Sequence, residues 1–142
     1  MQNLIIEALK YYGLAETPGP KTTPTIKKML DELGYPFSDD ETSWCGTFMS
    51  WVTKQCGLPH PAKGYGAKEW LNWGQSIQTP EMGDVAVFWR VSPTDWQGHV
   101  ALFVNRVGDT VYILGGNQSN QVSIMGMPAN RLLGYRRYAP AA

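Results

Sequence analysis

The chain has 142 residues, enough for one domain whose core needs neither metal nor disulfide support. Twelve Lys and Arg balance twelve Asp and Glu, so the cationic surplus that drives nucleic-acid or anionic-membrane binding is missing and no nucleic-acid partner is expected. A hydrophobic fraction of 43% excludes a disordered chain, and no apolar run is long enough for membrane insertion.

In chain order, NLIIEALKYYG (3–13) spaces Leu4, Ile5, Ala8, Tyr11 and Tyr12 as an amphipathic helix stopped by Gly13. The same residues carry no basic region, long apolar run or cleavage site of a signal peptide, so synthesis in the cytoplasm is expected. AETPGPKTTP (15–24) reads as a loop, and TIKKMLDELG as a second helix ended by Gly34. A third helix is predicted from Asp40 or Thr42 to Gln55 or Cys56, closed by Gly57 and Pro59, and a shorter fourth in GAKEWLNWG (66–74). Five strands follow at 83–90, 98–106, 109–116, 121–126 and 132–138. Helices first and strands after imply an α+β domain, its antiparallel sheet covered on one side by helices.

The stretch DDETSWCGTFMSW (39–51) sets two Asp, a Glu and two hydroxyls ahead of one cysteine. Cys45, Phe48, Met49, Val52 and Cys56 form a single helical stripe, so Cys45 heads the buried face. Backbone N–H groups at a helix start stabilise a thiolate, the form that attacks carbonyl carbon. Asp39, Asp40 and Glu41 favour the helix start but oppose a nearby thiolate; they cap the helix, or Asp40 holds a substrate ammonium group. Cys45 and Cys56 lie about 16 Å apart along a helix, beyond disulfide reach, so two free thiols are expected.

A cysteine nucleophile needs a base, and the chain has only His60 and His99. His60 sits between prolines in GLPHPAKG and reads as a solvated loop residue; His99 opens the strand HVALFV on the face of Ala101 and Phe103. A third group should orient the imidazole. A two-residue Gly108-Asp109 hairpin loop sets His99 opposite Gln118, and a three-residue loop sets it opposite Asn117. Alternatively, Gly115, Gly116 and Asn117 form a simple turn. A zinc site of Cys45, Cys56, His60 and His99 has suitable ligand types, but its C-x10-C spacing lacks a short chelating pair.

The ordered set WCGTFMSW, PEMGDVAVFW, GHVALFV, GGNQSN and LLGYRRY resembles the papain-like cell-wall hydrolases of the CHAP and NlpC type, especially a compact phage-associated branch. The resemblance covers roughly residues 40 to 138 and implies a papain-like fold, N-terminal helices packed on a central antiparallel sheet of about five strands. It also implies hydrolysis of a murein amide bond by nucleophilic Cys45, with His99 as base and Asn117 as the orienting group. Many CHAP members carry an acidic residue just before that Asn, where this chain has Gly115-Gly116; the third role therefore stays open between Asn117 and Gln118.

The resemblance implies a monomeric peptidoglycan hydrolase that uses no metal or other cofactor. Substrate is expected against Trp44 and Trp96, which flank the Cys and His, with Asp40 and Gln118 nearby. An endolysin-like role in the periplasm or on the cell wall, after holin-type release, is the leading expectation. The lack of an attached wall-binding domain points to a thin, accessible murein layer. The alternatives are a non-enzymatic murein-binding or phage structural module, or a delivered cysteine amidase or deamidase toxin.

Overall fold

The computed structural model describes residues 4–15, 24–35, 44–118 and 120–138. Three helices, α1 (Leu4–Leu9), α2 (Pro24–Leu33) and α3 (Cys45–Gln55), precede a 3-10 helix at Ala67–Asn72. Six strands follow: β1 (Gln75–Ile77), β2 (Val85–Trp89), β3 (Gly98–Val107), β4 (Thr110–Gln118), β5 (Gln121–Pro128) and β6 (Leu132–Arg137). They form one antiparallel sheet in the order β1-β6-β2-β3-β4-β5. The α+β class is as expected.

Local chemistry explains where the structure departs from the sequence reading. β1 is an unforeseen sixth strand: three residues, QSI, show no alternation and are held in the sheet only by pairing with β6. The segment after Gly66 tightens into a 3-10 helix. Trp70 anchors it, donating from Nε1 to the carbonyl of Gly64 at 2.9 Å. The proposed start of α3 at Asp40 or Thr42 lies outside the described residues, within which the helix begins at Cys45 itself.

α3 is buried from Cys45 to Thr53 because it is enclosed on several sides. The sheet takes one side, through β3 and β4, and α1 and α2 take others. The loop before the 3-10 helix takes a fourth: a side chain at Gly46 would meet the Gly64 carbonyl oxygen at 2.2 Å. Phe48, Met49 and Val52 of the predicted stripe join Val85, Val87, Val100, Leu102 and Leu114 of the sheet in the larger core cluster. Alternate strand residues, Ala86, Phe88, Ala101, Phe103, Val111, Ile113 and Tyr135, form a second cluster.

A buried carboxylate ties the two ends of the strand-forming segment together. Asp84, 5% exposed, accepts two charged hydrogen bonds of 2.6 Å from Arg137 and one of 2.7 Å from the Glu81 backbone N–H. Bidentate pairing of this kind is strong and directional, and here it fastens the start of β2 to the end of β6. Arg137 reaches water and tolerates loss of its partner better than a buried cation would. Asp84→Ala is therefore expected to lower stability by about 2 kcal/mol, read as a shift of the urea midpoint at unchanged slope. An unchanged midpoint would show that the pair does not hold these strands.

Candidate active site

Cys45 is the first residue of α3 and is 2% exposed. Trp44 is the N-cap and supplies no side-chain cap to the helix; its carbonyl accepts from the Phe48 N–H at 2.9 Å and so starts the first turn. The thiol therefore sits where the backbone N–H groups of the helix converge and favour negative charge. Both cysteines are free thiols, with Cys56 half-buried at the far end of the helix.

His99 is the second residue of β3, opposite Phe88 of β2, and is 6% exposed. Its ring is close enough to Cys45 for the thiol to raise the pKa of the imidazole. Its Nε2 lies 2.8 Å from Oε1 of Gln118. The direction of that hydrogen bond follows from the amide. Nε2 of Gln118 donates to the carbonyls of Ser123, at 2.6 Å, and Ile113, at 3.2 Å, so its oxygen is the atom turned to the imidazole. An acceptor there requires a proton on Nε2 of His99, which leaves Nδ1 as the basic nitrogen for the thiol.

The β3-β4 hairpin explains how Gln118 arrives at this place. Its turn has two residues, Gly108 and Asp109, and pairs Val107 with Thr110 through Asn105 with Tyr112. An extra residue, Val104, then shifts the register so that Phe103 faces Ile113 and Leu102 faces Leu114. Farther along β4 the pairing with β5 slips again between Gly115 and Gln118, where Asn117 takes a left-handed φ of 58°. That twist sends the Gln118 side chain inward, 1% exposed, while Asn117 stays half-buried. Gly115 and Gly116 belong to the strand rather than to a turn.

The other predicted site residues are distributed unevenly. Trp44 is 2% exposed, its ring edge-on to Phe48 and filling the space above Gly116, so it serves the core rather than a groove wall. Trp96 is 81% exposed in the loop that leads into His99. Asp40 lies outside the described residues. His60 is not a solvated loop residue: it is half-buried, with Nδ1 3.1 Å from the Tyr35 hydroxyl and 2.9 Å from the Pro61 carbonyl. Tyr35 in turn donates to Ser50 of α3 at 2.8 Å, so this network braces the helix. Among the described residues no group of three or more His, Cys, Asp or Glu side chains is arranged to hold a metal ion, and no helix is long and apolar enough to cross a membrane. Sequence reasoning missed Ser123, whose carbonyl orients the Gln118 amide and whose hydroxyl donates to the Gln118 carbonyl at 2.9 Å. Its place in the strand QVSIMG carries no local signal; only the pairing of Gly115 with Ser123 brings it there.

Burial is the largest influence on the His99 pKa and pushes it down, and the nearby charge of Arg90 adds a smaller push in the same direction. The negative charge of Cys45 and the hydrogen bonds to Cys45 and Gln118 outweigh them, so the net shift is upward from 6.5. The imidazolium therefore persists above that pH. Cys45→Ala removes two of the three raising influences and leaves burial and Arg90 in place, so the His99 midpoint should fall. Proton NMR titration of the ring in both proteins measures this, and equal midpoints would show that the thiol and imidazole are not coupled.

A helix-head cysteine joined to a strand-borne histidine and an amide, on α helices packed against an antiparallel sheet, is an arrangement of the papain-like kind. The chain belongs to the CHAP domain family, whose profile matches residues 37–117, more than half of its length. Members of this family are in general cysteine peptidases and amidases of the peptidoglycan-hydrolase type. Among solved structures, the fold is similar to that of a Staphylococcus aureus subsp. aureus Mu50 protein, similar to a lipoprotein of the NLP/P60 family, with a TM-score of 0.60 and 21% identity. The match covers 98% of this chain and 41% of that one, so this chain spans well under half the length of its structural relative. No curated protein matches the sequence.

Proposed function

We propose that the chain hydrolyses an amide bond of the murein peptide stem, with Cys45 as nucleophile, His99 as base and then acid, and Gln118 as the orienting residue. The observation that carries this reading is the locked amide of Gln118 2.8 Å from Nε2 of His99, a ring whose pKa is also raised by the thiol of Cys45 at the helix head. The 2.8 Å contact with Nε2 favours Gln118 over Asn117 for the third role. Nδ1 of His99 takes the thiol proton, and the thiolate attacks the scissile carbonyl carbon. The backbone N–H of Cys45 at the helix start stabilises the resulting oxyanion. Collapse of the tetrahedral intermediate expels the amine, which takes the proton from Nδ1, and a thioester remains on Cys45. His99 then removes a proton from water as it attacks the thioester, releasing the acid and restoring the thiol. Gln118 Oε1, accepting from Nε2–H, keeps the ring in the required tautomer and stabilises the imidazolium.

We assign the biological role as that of an endolysin-like enzyme acting on the wall after release from the cytoplasm, on the strength of the compact phage-type motif order. Both an amidase, cutting between muramic acid and L-Ala, and an endopeptidase, cutting within the stem or cross-link, fit this chemistry. Mass spectrometry of the soluble products from purified murein tests the reading. Wild type should release fragments, peptide-free glycan identifying an amidase and cleaved stems an endopeptidase. Cys45→Ala should lose about 10³-fold or more of that rate with its fold intact, whereas Cys56→Ala, far along α3, should retain it. Equal release by wild type and Cys45→Ala would overturn the mechanism.

A further inference from the structure

The connection between β2 and β3 is an eight-residue stretch, RVSPTDWQ (90–97), too short of apolar residues to owe its shape to packing. Hydrogen bonds shape it instead. The Asp95 N–H donates to both the carbonyl and the hydroxyl of Ser92 at 3.2 Å, and the Gln97 N–H donates to the Asp95 carboxylate at 2.8 Å. Lys68, from the 3-10 helix, clamps the loop from outside by donating to the carbonyls of Pro93, at 3.0 Å, and Asp95. A built loop of this kind holds what it displays.

What it displays is Trp96, 81% exposed and, among the described residues, the most exposed of the large hydrophobic side chains. At the other end of the loop stands Arg90, also exposed, directly after Trp89, which pairs with Gly98. The two side chains thus bracket the strand end that carries His99. Arg131, by contrast, is engaged over the Trp89 ring, 4.9 Å from its centroid. Arg90 makes no hydrogen bond or ion pair among the described residues. Its charge is nonetheless felt at His99, where it opposes the imidazolium that the chemistry needs. A cation that opposes the imidazolium, and that has no partner among the described residues, is suited to an anion that arrives with the substrate.

We propose that residues 90–97 are the substrate-recognition element of the site, Arg90 binding a carboxylate of the peptide stem and Trp96 stacking on a sugar ring of the attached glycan. The assignment rests on the murein reading above and names the parts of the substrate that this side of the site holds. A guanidinium pairs with a carboxylate through two parallel hydrogen bonds, which a carboxamide cannot reproduce. An exposed indole offers a flat apolar face of the size of a pyranose ring.

Two muramyl tetrapeptides that differ only in whether the stem glutamate bears a free α-carboxylate or a carboxamide, together with the same stems lacking the sugar, test the proposal. Cleavage by wild type is compared with binding to the Cys45→Ala protein, so that recognition is read apart from hydrolysis. A preference of roughly tenfold or more for the carboxylate form is expected in both. Arg90→Gln should bring the ratio close to one, and Arg90→Lys should restore part of it. Trp96→Ala should weaken the sugar-bearing ligands several-fold while leaving the free stems as they were. A ratio unchanged by Arg90→Gln, or equal losses with and without the sugar in Trp96→Ala, would overturn the proposal even if murein is cleaved. Binding preference without cleavage by wild type would uphold the loop's role and sink the hydrolase reading instead.

Discussion

The site depends on how closely the head of α3 approaches β4. Two adjacent glycines make this possible, and because successive strand residues point to opposite faces, each serves a different side. A Cβ at position 116 would fall 2.7 Å from the Trp44 ring and 2.8 Å from Cβ of Phe48. A Cβ at position 115 would fall 2.7 Å from Cβ of Ala101 and 3.0 Å from Oε1 of Gln118. One absent side chain lets the cysteine-bearing helix descend on the sheet, and the other leaves the amide room to reach the imidazole. Catalytic constellations of this kind are useful only when held to within about half an ångström. On the helix side the tolerance is set by the rigid Trp44 ring and the Cβ of Phe48 seated directly on the glycine backbone.

Much of this was legible in the primary structure, for physical reasons. A helical stripe headed by Cys45 and an alternating strand opened by His99 are local patterns, and local patterns need only the periodicities of helix and strand to be read. The hairpin was legible only in part. Its two-residue turn is written in Gly108 and Asp109, but the extra residue at Val104 and the left-handed Asn117 shift the register beyond the reach of loop counting. Trp44 illustrates a further limit. A large aromatic beside a nucleophile looks equally like a groove wall and a core residue, and only the glycine opposite it, 72 positions later in the chain, decides that it is buried. Likewise β1 exists because β6 offers it an edge, and His60 acquires its hydroxyl partner from a tyrosine 25 residues away.

The site is also divided in character. On one side Trp44 is packed against Phe48 and Gly116, and Gln118 and Ser123 are hydrogen-bonded to the backbone, so their positions are determined before any substrate arrives. On the other a loop presents an arginine and a tryptophan to solvent from a scaffold of its own hydrogen bonds. On the proposed reading, variation in the loop would change what is bound without touching Cys45, His99 or Gln118, which is the usual division of labour between a rigid frame and the connections it carries.

The strand order also governs when the ordered site can exist. β6, formed last in the chain, lies inside the sheet between β1 and β2, and the Asp84-Arg137 pair locks it there. Contacts between residues this distant in sequence form late, after a large loss of chain entropy. During synthesis the N-terminal helices and Cys45 emerge well before the strand that completes the sheet. A partly made chain would carry Cys45 without the finished frame around it, and the ordered site would appear only when nearly the whole domain has left the ribosome. The complete grouping of Cys45, His99 and Gln118 is thus withheld from truncated products by topology alone.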